Sequence, residues 1–182
     1  MEKHRPLTRL SFQTYINWLS ENPKTVVGGP IVLERDDNGL ISFKSRKINT
    51  QVLPDHYARK LYIYGKYNKI KGLKIKITSE GFDYLLRADP THEKGKFKTE
   101  DGGEYENWPH FHELDYHHPI DDETPGTRRV VTSGLYLGMP PEKFLDEFKF
   151  CYNIDDGAES TLVKPIKGSR QGGLTEDYGS AE

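Results

Sequence analysis

The sequence contains only one cysteine, Cys151, and no long run of apolar residues. A single cysteine excludes an internal disulfide. A bilayer-spanning helix needs about 18 or more consecutive apolar residues, so no membrane partner is predicted. The first residues also lack the apolar stretch of a secretory signal peptide. These absences favour a cytoplasmic protein, because reducing compartments keep cysteines unpaired.

The sequence also lacks a Walker phosphate loop, a Rossmann glycine fingerprint, an HExxH motif and cysteine pairs spaced for zinc. The sequence therefore offers none of the common signatures by which nucleotide-binding or zinc proteins are predicted. The 182 residues fit a single domain. Apolar residues make up 34% and aromatic residues 12%, which indicates a core built from large rings and surrounded by polar loops.

Hydrophobic periodicity predicts helices near both ends of this domain and strands between them. Apolar residues recur at helical spacing in 10–20 and again after Pro140. Between them, segments such as 72–79 alternate apolar and polar residues, which is typical of strands with one buried face. A polar loop is predicted for 90–107.

The expected fold is therefore α+β, with one antiparallel sheet of five to seven strands and N- and C-terminal helices packed on one face. This single domain is expected to span residues 1–160. The segment 161–182 is rich in glycine and polar residues, so we expect a disordered C-terminal tail.

The net charge of −2 conceals two halves of opposite charge. Residues 41–98 contain 14 Lys and Arg against 5 Asp and Glu, whereas residues 99–160 contain 4 against 15. A basic half can attract a polyanion such as RNA. Alternatively, the two halves neutralise each other in the fold as solvated charges of opposite sign.

Histidines are concentrated in one part of the chain. Five of the seven lie within 27 positions: His92, His110, His112, His117 and His118. Because side chains alternate along a strand, His110 and His112 should point the same way, as should Arg87 and Asp89 on the preceding strand. A long hairpin would bring the two pairs together on one surface.

Such a surface permits metal-independent cleavage of RNA, which carries its own nucleophile in the 2′-hydroxyl. His110 and His112 can act as acid and base, because imidazole titrates near neutral pH. Arg87 can bind the phosphate through two hydrogen bonds, and Asp89 can fix the tautomer of one imidazole. His92 is a further catalytic candidate. On this interpretation the protein needs no cofactor.

The same residues also allow a site for a divalent transition metal. His110 and His112, together with His92 or Asp89, would provide three protein ligands and leave one position open, as in metal-dependent hydrolases. A third alternative is that the histidines face solvent in a polar hairpin. That alternative applies best to His117 and His118, which precede a proline and an acidic run.

A basic stretch at 56–76 interleaves tyrosines with lysines and arginines. Bases stack on aromatic rings while phosphates pair with cations, so this pattern is typical of single-stranded nucleic-acid binding. The candidate substrate-binding residues are Tyr62, Tyr64, Lys66, Lys74 and Lys76. The alternative is an ordinary solvated sheet face whose lysines protect an edge.

Three motifs occur in a fixed order: Leu-Arg-Ala-Asp-Pro-Thr-His at 86–92, Asp-Gly-Gly at 101–103, and Trp-Pro-His-Phe-His-Glu at 108–113. This order resembles a family of small uncharacterised bacterial and prophage proteins over about residues 31–155, with the segment 147–154 similar to its closing helix. A more distant likeness is to toxin components of bacterial toxin–antitoxin pairs. The resemblance implies the positions of site residues, and the toxin likeness implies an antitoxin or other protein partner.

The leading hypothesis is thus a metal-independent, RNA-cleaving enzyme of toxin type. One alternative is a metal-dependent hydrolase with histidine ligands. Another is a non-catalytic phage or host interaction protein that uses its asymmetric charge to bind a partner.

Overall fold

The two longer helices begin where the sequence provides suitable capping residues. Helix α1 (Phe12–Ser20) follows Ser11, whose hydroxyl accepts a hydrogen bond of 3.2 Å from the backbone N–H of Thr14. Helix α3 (Pro141–Cys151) begins with a proline, whose fixed φ suits the first helical turn. A short helix, α2 (Asp55–Ala58), lies between them.

The computed structural model describes residues 10–68, 72–79, 84–91, 95–122 and 124–163. The strands in these ranges are β1 (Lys24–Val26), β2 (Val32–Arg35), β3 (Ile41–Asn49), β4 (Tyr62–Asn68), β5 (Gly72–Thr78), β6 (Leu86–Asp89), β7 (Lys96–Lys98), β8 (Glu104–Glu106), β9 (His110–Asp115), β10 (Gly126–Val130), β11 (Ile154–Asp155) and β12 (Thr161–Val163). Within the same ranges, none of the helices has the length and apolar character that crossing a bilayer requires.

The prediction of an α+β fold with five to seven antiparallel strands was wrong. Ten described strands form one sheet in the order β10-β9-β6-β5-β4-β3-β1-β11, and β2 joins β12 to β3 beside this path. The sheet is mixed, because β11 pairs parallel with β1 and β12 pairs parallel with β2. Strands far exceed helices in total length. The strands that were not predicted contain two to five residues each, which is too short for an alternating pattern to be recognised in the sequence.

The chain also extends further into the fold than predicted. Thr161–Val163 lies in the segment expected to be disordered, yet it forms β12 and pairs with Val32, Leu33 and Glu34 of β2. A domain boundary at residue 160 would therefore cut off a strand. The remainder of the predicted tail, from residue 164 onward, lies outside the described residues.

The apolar core lies on one face of the central strands. The Phe111 ring of β9 packs on Phe144 and Phe148 of α3, with ring centroids 6.0 and 5.4 Å apart. Helix α1 joins this core through Tyr15, whose hydroxyl donates to the carbonyl of Leu85 at 2.9 Å. In β5 the burial alternates as the sequence predicts, which leaves the lysines of that strand on the opposite face.

A close contact in the core requires one residue of β4 to be glycine. Gly65 lies directly opposite Phe43 of β3, and a Cβ atom at Gly65 would overlap the Phe43 ring. We expect Gly65→Ala to lower the free energy of unfolding by about 1–3 kcal/mol, the usual cost of overpacking. Urea denaturation measures this change. In a Phe43→Ala background, Gly65→Ala should cost much less, and an equal cost in both backgrounds would contradict the expected overlap.

Candidate functional site

Polar side chains occupy the face of the sheet opposite the core, which we call the site face. They form two rows that cross neighbouring strands. The first row is Tyr64, Lys76, Arg87, His112 and Arg129, and each residue lies directly opposite the next. The second row is Lys66, Lys74, Asp89 and His110. Residues directly opposite one another share a face, so antiparallel pairing brings all of these side chains to one surface.

Three side chains of the site face converge on one point: Asp89, His110 and His112, here called the Asp–His cluster. Asp89 Oδ2 lies 3.0 Å from His112 Nε2 and 3.9 Å from His110 Nε2, and the two imidazole nitrogens are 2.9 Å apart. Arg87 Nη2 approaches the same atoms, at 2.8 Å from Asp89 Oδ2 and 2.9 Å from His112 Nε2. Lys74 Nζ lies 3.3 Å from Asp89 Oδ1.

The small β7–β8 hairpin covers part of the cluster. The Phe97 ring centroid lies 4.5 Å from that of His110, and only 1% of His110 is exposed. By contrast, the side chains of Arg87 and Lys74 are 24% and 35% exposed. The cluster is thus shielded from water, and its two cationic neighbours form the edge that solvent can reach.

The protonation of the cluster follows from its partners. His110 Nδ1 lies 2.9 Å from the carbonyl oxygen of Trp108. A carbonyl only accepts, so Nδ1 donates its hydrogen and Nε2 keeps its lone pair. Burial lowers the pKa of His112 despite its hydrogen bond with Asp89, so this imidazole is neutral at neutral pH.

Asp89 stays ionised in the same environment. Burial opposes its ionisation, but the hydrogen bond from His112 and the positive charges of Arg87 and Lys74 outweigh this effect. Together they hold the pKa of Asp89 well below its usual range. The Asp89 carboxylate is therefore in contact with the neutral imidazole of His112.

Neither neutral tautomer of His112 satisfies all of its neighbours. With the proton on Nε2, His112 donates to Asp89, but the same N–H then faces the guanidinium of Arg87. With the proton on Nδ1, the lone pair of Nε2 faces the Asp89 carboxylate. In both cases Nδ1 is buried and has no hydrogen-bond partner among the described residues. A cation bound at Nε2 would remove the conflict at that atom but would leave Nδ1 without a partner.

A metal ion fits the position between the three donor atoms. The three donor atoms lie 2.9–3.9 Å from one another, close enough together to bind a single divalent ion. Two imidazoles with one carboxylate suit a divalent transition metal. A bound cation requires Arg87 to turn away from these atoms toward the solvent that already reaches part of its side chain.

The structure brings together most of the residues singled out in the sequence. Arg87 and Asp89 on β6 lie opposite His112 and His110 on β9, on adjacent antiparallel strands. His92 lies outside the described residues.

The predicted substrate-binding residues share the site face. Tyr64, Lys66, Lys74 and Lys76 belong to the two rows. Tyr62 lies two pairs further along β4, opposite Thr78, and is 40% exposed. Lys74 contacts Asp89 of the cluster, and the role of all five residues in binding substrate stays a prediction.

Three residues near the cluster were not predicted: Tyr84, Phe97 and Arg129. The guanidinium carbon of Arg87 lies 4.9 Å from the centre of the Tyr84 ring, so this ring supports the arginine by a cation–π contact. Arg129 stacks on Phe97 at 5.7 Å. The three residues Lys-Phe-Lys at 96–98 are too few to indicate a strand, and no signal in the sequence links Phe97 to His110.

A second group of possible metal ligands differs from the Asp–His cluster. It consists of Glu100, Asp115 and His118. Arg128 already pairs with Glu100 at 3.0 Å, and Asp115 accepts hydrogen bonds from the backbone of His118 and from its ring. The His118 side chain is 77% exposed. These contacts already account for the group, so it does not call for a ligand.

Comparisons of the chain with protein-family models, with curated proteins and with solved structures found no match. The resemblance to bacterial and prophage proteins, and to toxin components, therefore stays a prediction.

Proposed function

We propose that the protein is a metal-dependent hydrolase in which Asp89, His110 and His112 bind a divalent transition metal. The observation that carries this proposal is the convergence of their three donor atoms, which lie within 3.9 Å of one another. The carbonyl of Trp108 supports it, because it directs the lone pair of His110 toward that point. A bound ion would act as a Lewis acid and lower the pKa of a coordinated water.

The cations around the cluster favour a phosphate ester as the substrate. Arg87 and Lys74 lie at its exposed edge, where they can bind the phosphate oxygens and stabilise charge that develops during hydrolysis. In the reaction, water adds to phosphorus, the P–O bond to the leaving group breaks, and the leaving oxygen takes up a proton. RNA is the phosphodiester that we propose as substrate.

The biological setting is part of the same proposal. The likeness to toxin components supports an RNA-cleaving toxin that acts in the cytoplasm and is held inactive by an antitoxin. A metal-loaded protein that hydrolyses no RNA would instead favour the non-catalytic interaction protein.

Metal binding provides the direct test. Protein loaded with Zn²⁺ or Mn²⁺ and then desalted should retain about one equivalent per chain by elemental analysis. Free metal at 100 times its Kd should stabilise the folded state by about 2.7 kcal/mol, and a chelator should reverse this gain. His110→Ala should lose the metal, whereas His56→Ala, which removes an exposed histidine outside the cluster, should keep it. Metal-free wild type, or equal retention by both variants, would refute the proposed centre.

Metal-independent RNA cleavage remains a second candidate because of Arg87. Its guanidinium contacts both Asp89 and His112, so it already places a positive charge where a phosphate would be bound. The contact between the two imidazoles argues against metal-independent cleavage. At 2.9 Å apart, His110 and His112 bond to each other, whereas an acid and a base must reach the leaving oxygen and the attacking hydroxyl separately.

The nucleophile distinguishes the two candidates. Metal-independent cleavage uses the 2′-hydroxyl, so it survives a chelator and stops when that hydroxyl is methylated. Metal-dependent hydrolysis by water stops with the chelator and does not need the 2′-hydroxyl.

A further inference from the structure

The site face carries far more positive than negative charge. Its two rows contain five cations, Lys66, Lys74, Lys76, Arg87 and Arg129, and one carboxylate, Asp89. That carboxylate is already in contact with Arg87 and Lys74. A polyanion approaching this face therefore meets a continuous positive surface next to the cluster.

The cations follow a path across the strands. Lys66 and Lys74 lie opposite each other on β4 and β5, and Lys74 reaches Asp89 on β6, which is opposite His110 on β9. Neighbouring strands are about 4.8 Å apart, so the three steps from β4 to β9 cover roughly 14 Å. A chain with regularly spaced charges can contact the lysines and the cluster at the same time.

Aromatic rings extend from this path along β4, with Tyr64 two residues from Lys66 and Tyr62 four residues from it, about 13 Å away. Tyr62 is 40% exposed, and Tyr64 follows it on the same face of β4 beside Lys66. Exposed rings among lysines suit nucleotide bases, which stack on aromatic side chains while their phosphates pair with the cations. An acidic protein segment would use the cations but has no equivalent use for the rings. A base must leave a duplex to stack in this way, which favours a single strand.

We propose that single-stranded nucleic acid binds across β4, β5 and β6, with phosphates on Lys66 and Lys74 and a base on Tyr62. This path leads to the Asp–His cluster, where Arg87 receives the phosphate that is cleaved. The inference rests on the proposed function for that last step only, because the binding surface itself does not include the metal.

Binding can be measured by fluorescence anisotropy with a labelled single-stranded RNA of about ten nucleotides, in chelator and over a range of salt concentrations. Lys66→Ala should weaken binding and reduce the slope of log Kd against log salt by about 0.7, the share of one phosphate contact. Tyr62→Ala should weaken binding by roughly 5- to 150-fold, the range expected for one stacked base. Lys143→Ala, on the exposed side of α3, and Tyr136→Ala, with a side chain of similar exposure to Tyr62, should leave binding unchanged.

Several outcomes would overturn this inference: no RNA binding by folded wild type at low salt, equal losses in the control variants, or tighter binding of duplex RNA than of the single strand. Tighter binding of polyglutamate or of phosphatidylserine vesicles, with no effect of Tyr62→Ala, would overturn it in favour of those ligands. Metal content is measured separately. Metal retention without RNA binding contradicts this inference and RNA as the substrate but leaves the proposed metal centre standing, whereas RNA binding without metal contradicts only the proposed metal centre.

Discussion

Replacing His112 with alanine is expected to reduce metal affinity and RNA hydrolysis by at least about 100-fold. Groups that only orient a metal ligand commonly contribute 10- to 100-fold, so the loss of a ligand itself should cost no less. His112 Nε2 is the atom nearest to both of the other donors, at 3.0 Å from Asp89 Oδ2 and 2.9 Å from His110 Nε2. Its removal leaves two ligands, which no longer define a common centre.

The measurements are metal retention and the cleavage rate of a labelled RNA in the presence of the metal. His56→Ala is the matched control, because it also removes an imidazole but lies outside the cluster, and circular dichroism reports whether each variant folds. Metal retention equal to wild type in a folded His112→Ala would rule out the proposed ligand set.

The variant Arg87→Lys tests whether Arg87 binds the phosphate or is needed for metal binding. Lysine keeps the charge but cannot form the two parallel hydrogen bonds of a guanidinium. If Arg87 binds phosphate beside a metal, this variant should retain metal while hydrolysis slows. Loss of metal in Arg87→Lys would show that the arginine is needed to build the cluster.

The shared face of each residue pair could be predicted from the sequence because the alternation of a strand is local. Arg-x-Asp and His-x-His each place two residues on one face whatever the rest of the fold does. The neighbouring positions of β6 and β9 depend on a long connection that carries its own hairpin, β7–β8. Periodicity does not reveal strands of three residues, so 90–107 was expected to be a polar loop, and the covering role of Phe97 was missed.

The choice between acid–base and metal chemistry could not be made from the sequence. Both use histidines and a carboxylate on one face, and they differ in the distances between the atoms. An acid–base pair must reach two separate oxygens, whereas metal ligands must converge on one point. Residue spacing fixes only the face, while the 2.9 Å contact between the imidazoles depends on the side-chain rotamers that packing in the folded protein selects.

The fold was mispredicted for a related reason. Helix α1 and helix α3 are long enough to show their apolar faces, and Ser11 and Pro141 mark where they begin. The strands that make the sheet mixed, β11 and β12, contain two and three residues and pair in parallel with strands more than a hundred positions away. Such pairing is decided by tertiary contacts rather than by local preference.

One of these tertiary contacts is a buried ion pair that holds the segment following α3 in place. Breaking this pair is expected to destabilise the fold strongly. Lys149 Nζ lies 2.9 Å from Asp156 Oδ1, and their side chains are only 7% and 2% exposed. The other carboxylate oxygen, Oδ2, accepts a hydrogen bond of 2.8 Å from the backbone N–H of Ile31, just before β2. Asp156 therefore connects the helix, the C-terminal strands and the start of β2.

Replacing Asp156 with alanine is expected to lower the free energy of unfolding by about 3–5 kcal/mol, because it leaves the charge of Lys149 buried without this partner. Asp146, 3.3 Å from Lys149 Nζ, offsets part of this cost, so the lower end of the range is expected. Urea denaturation measures the change, and Asp155→Ala, which removes the exposed neighbouring carboxylate, is the matched control. Lys149→Met combined with Asp156→Leu should be closer to wild type than Asp156→Ala, since removing both charges leaves neither one unpaired. If Asp156→Ala costs less than about 1 kcal/mol, as expected for an exposed ion pair, then the pair does not hold the C-terminal segment in place.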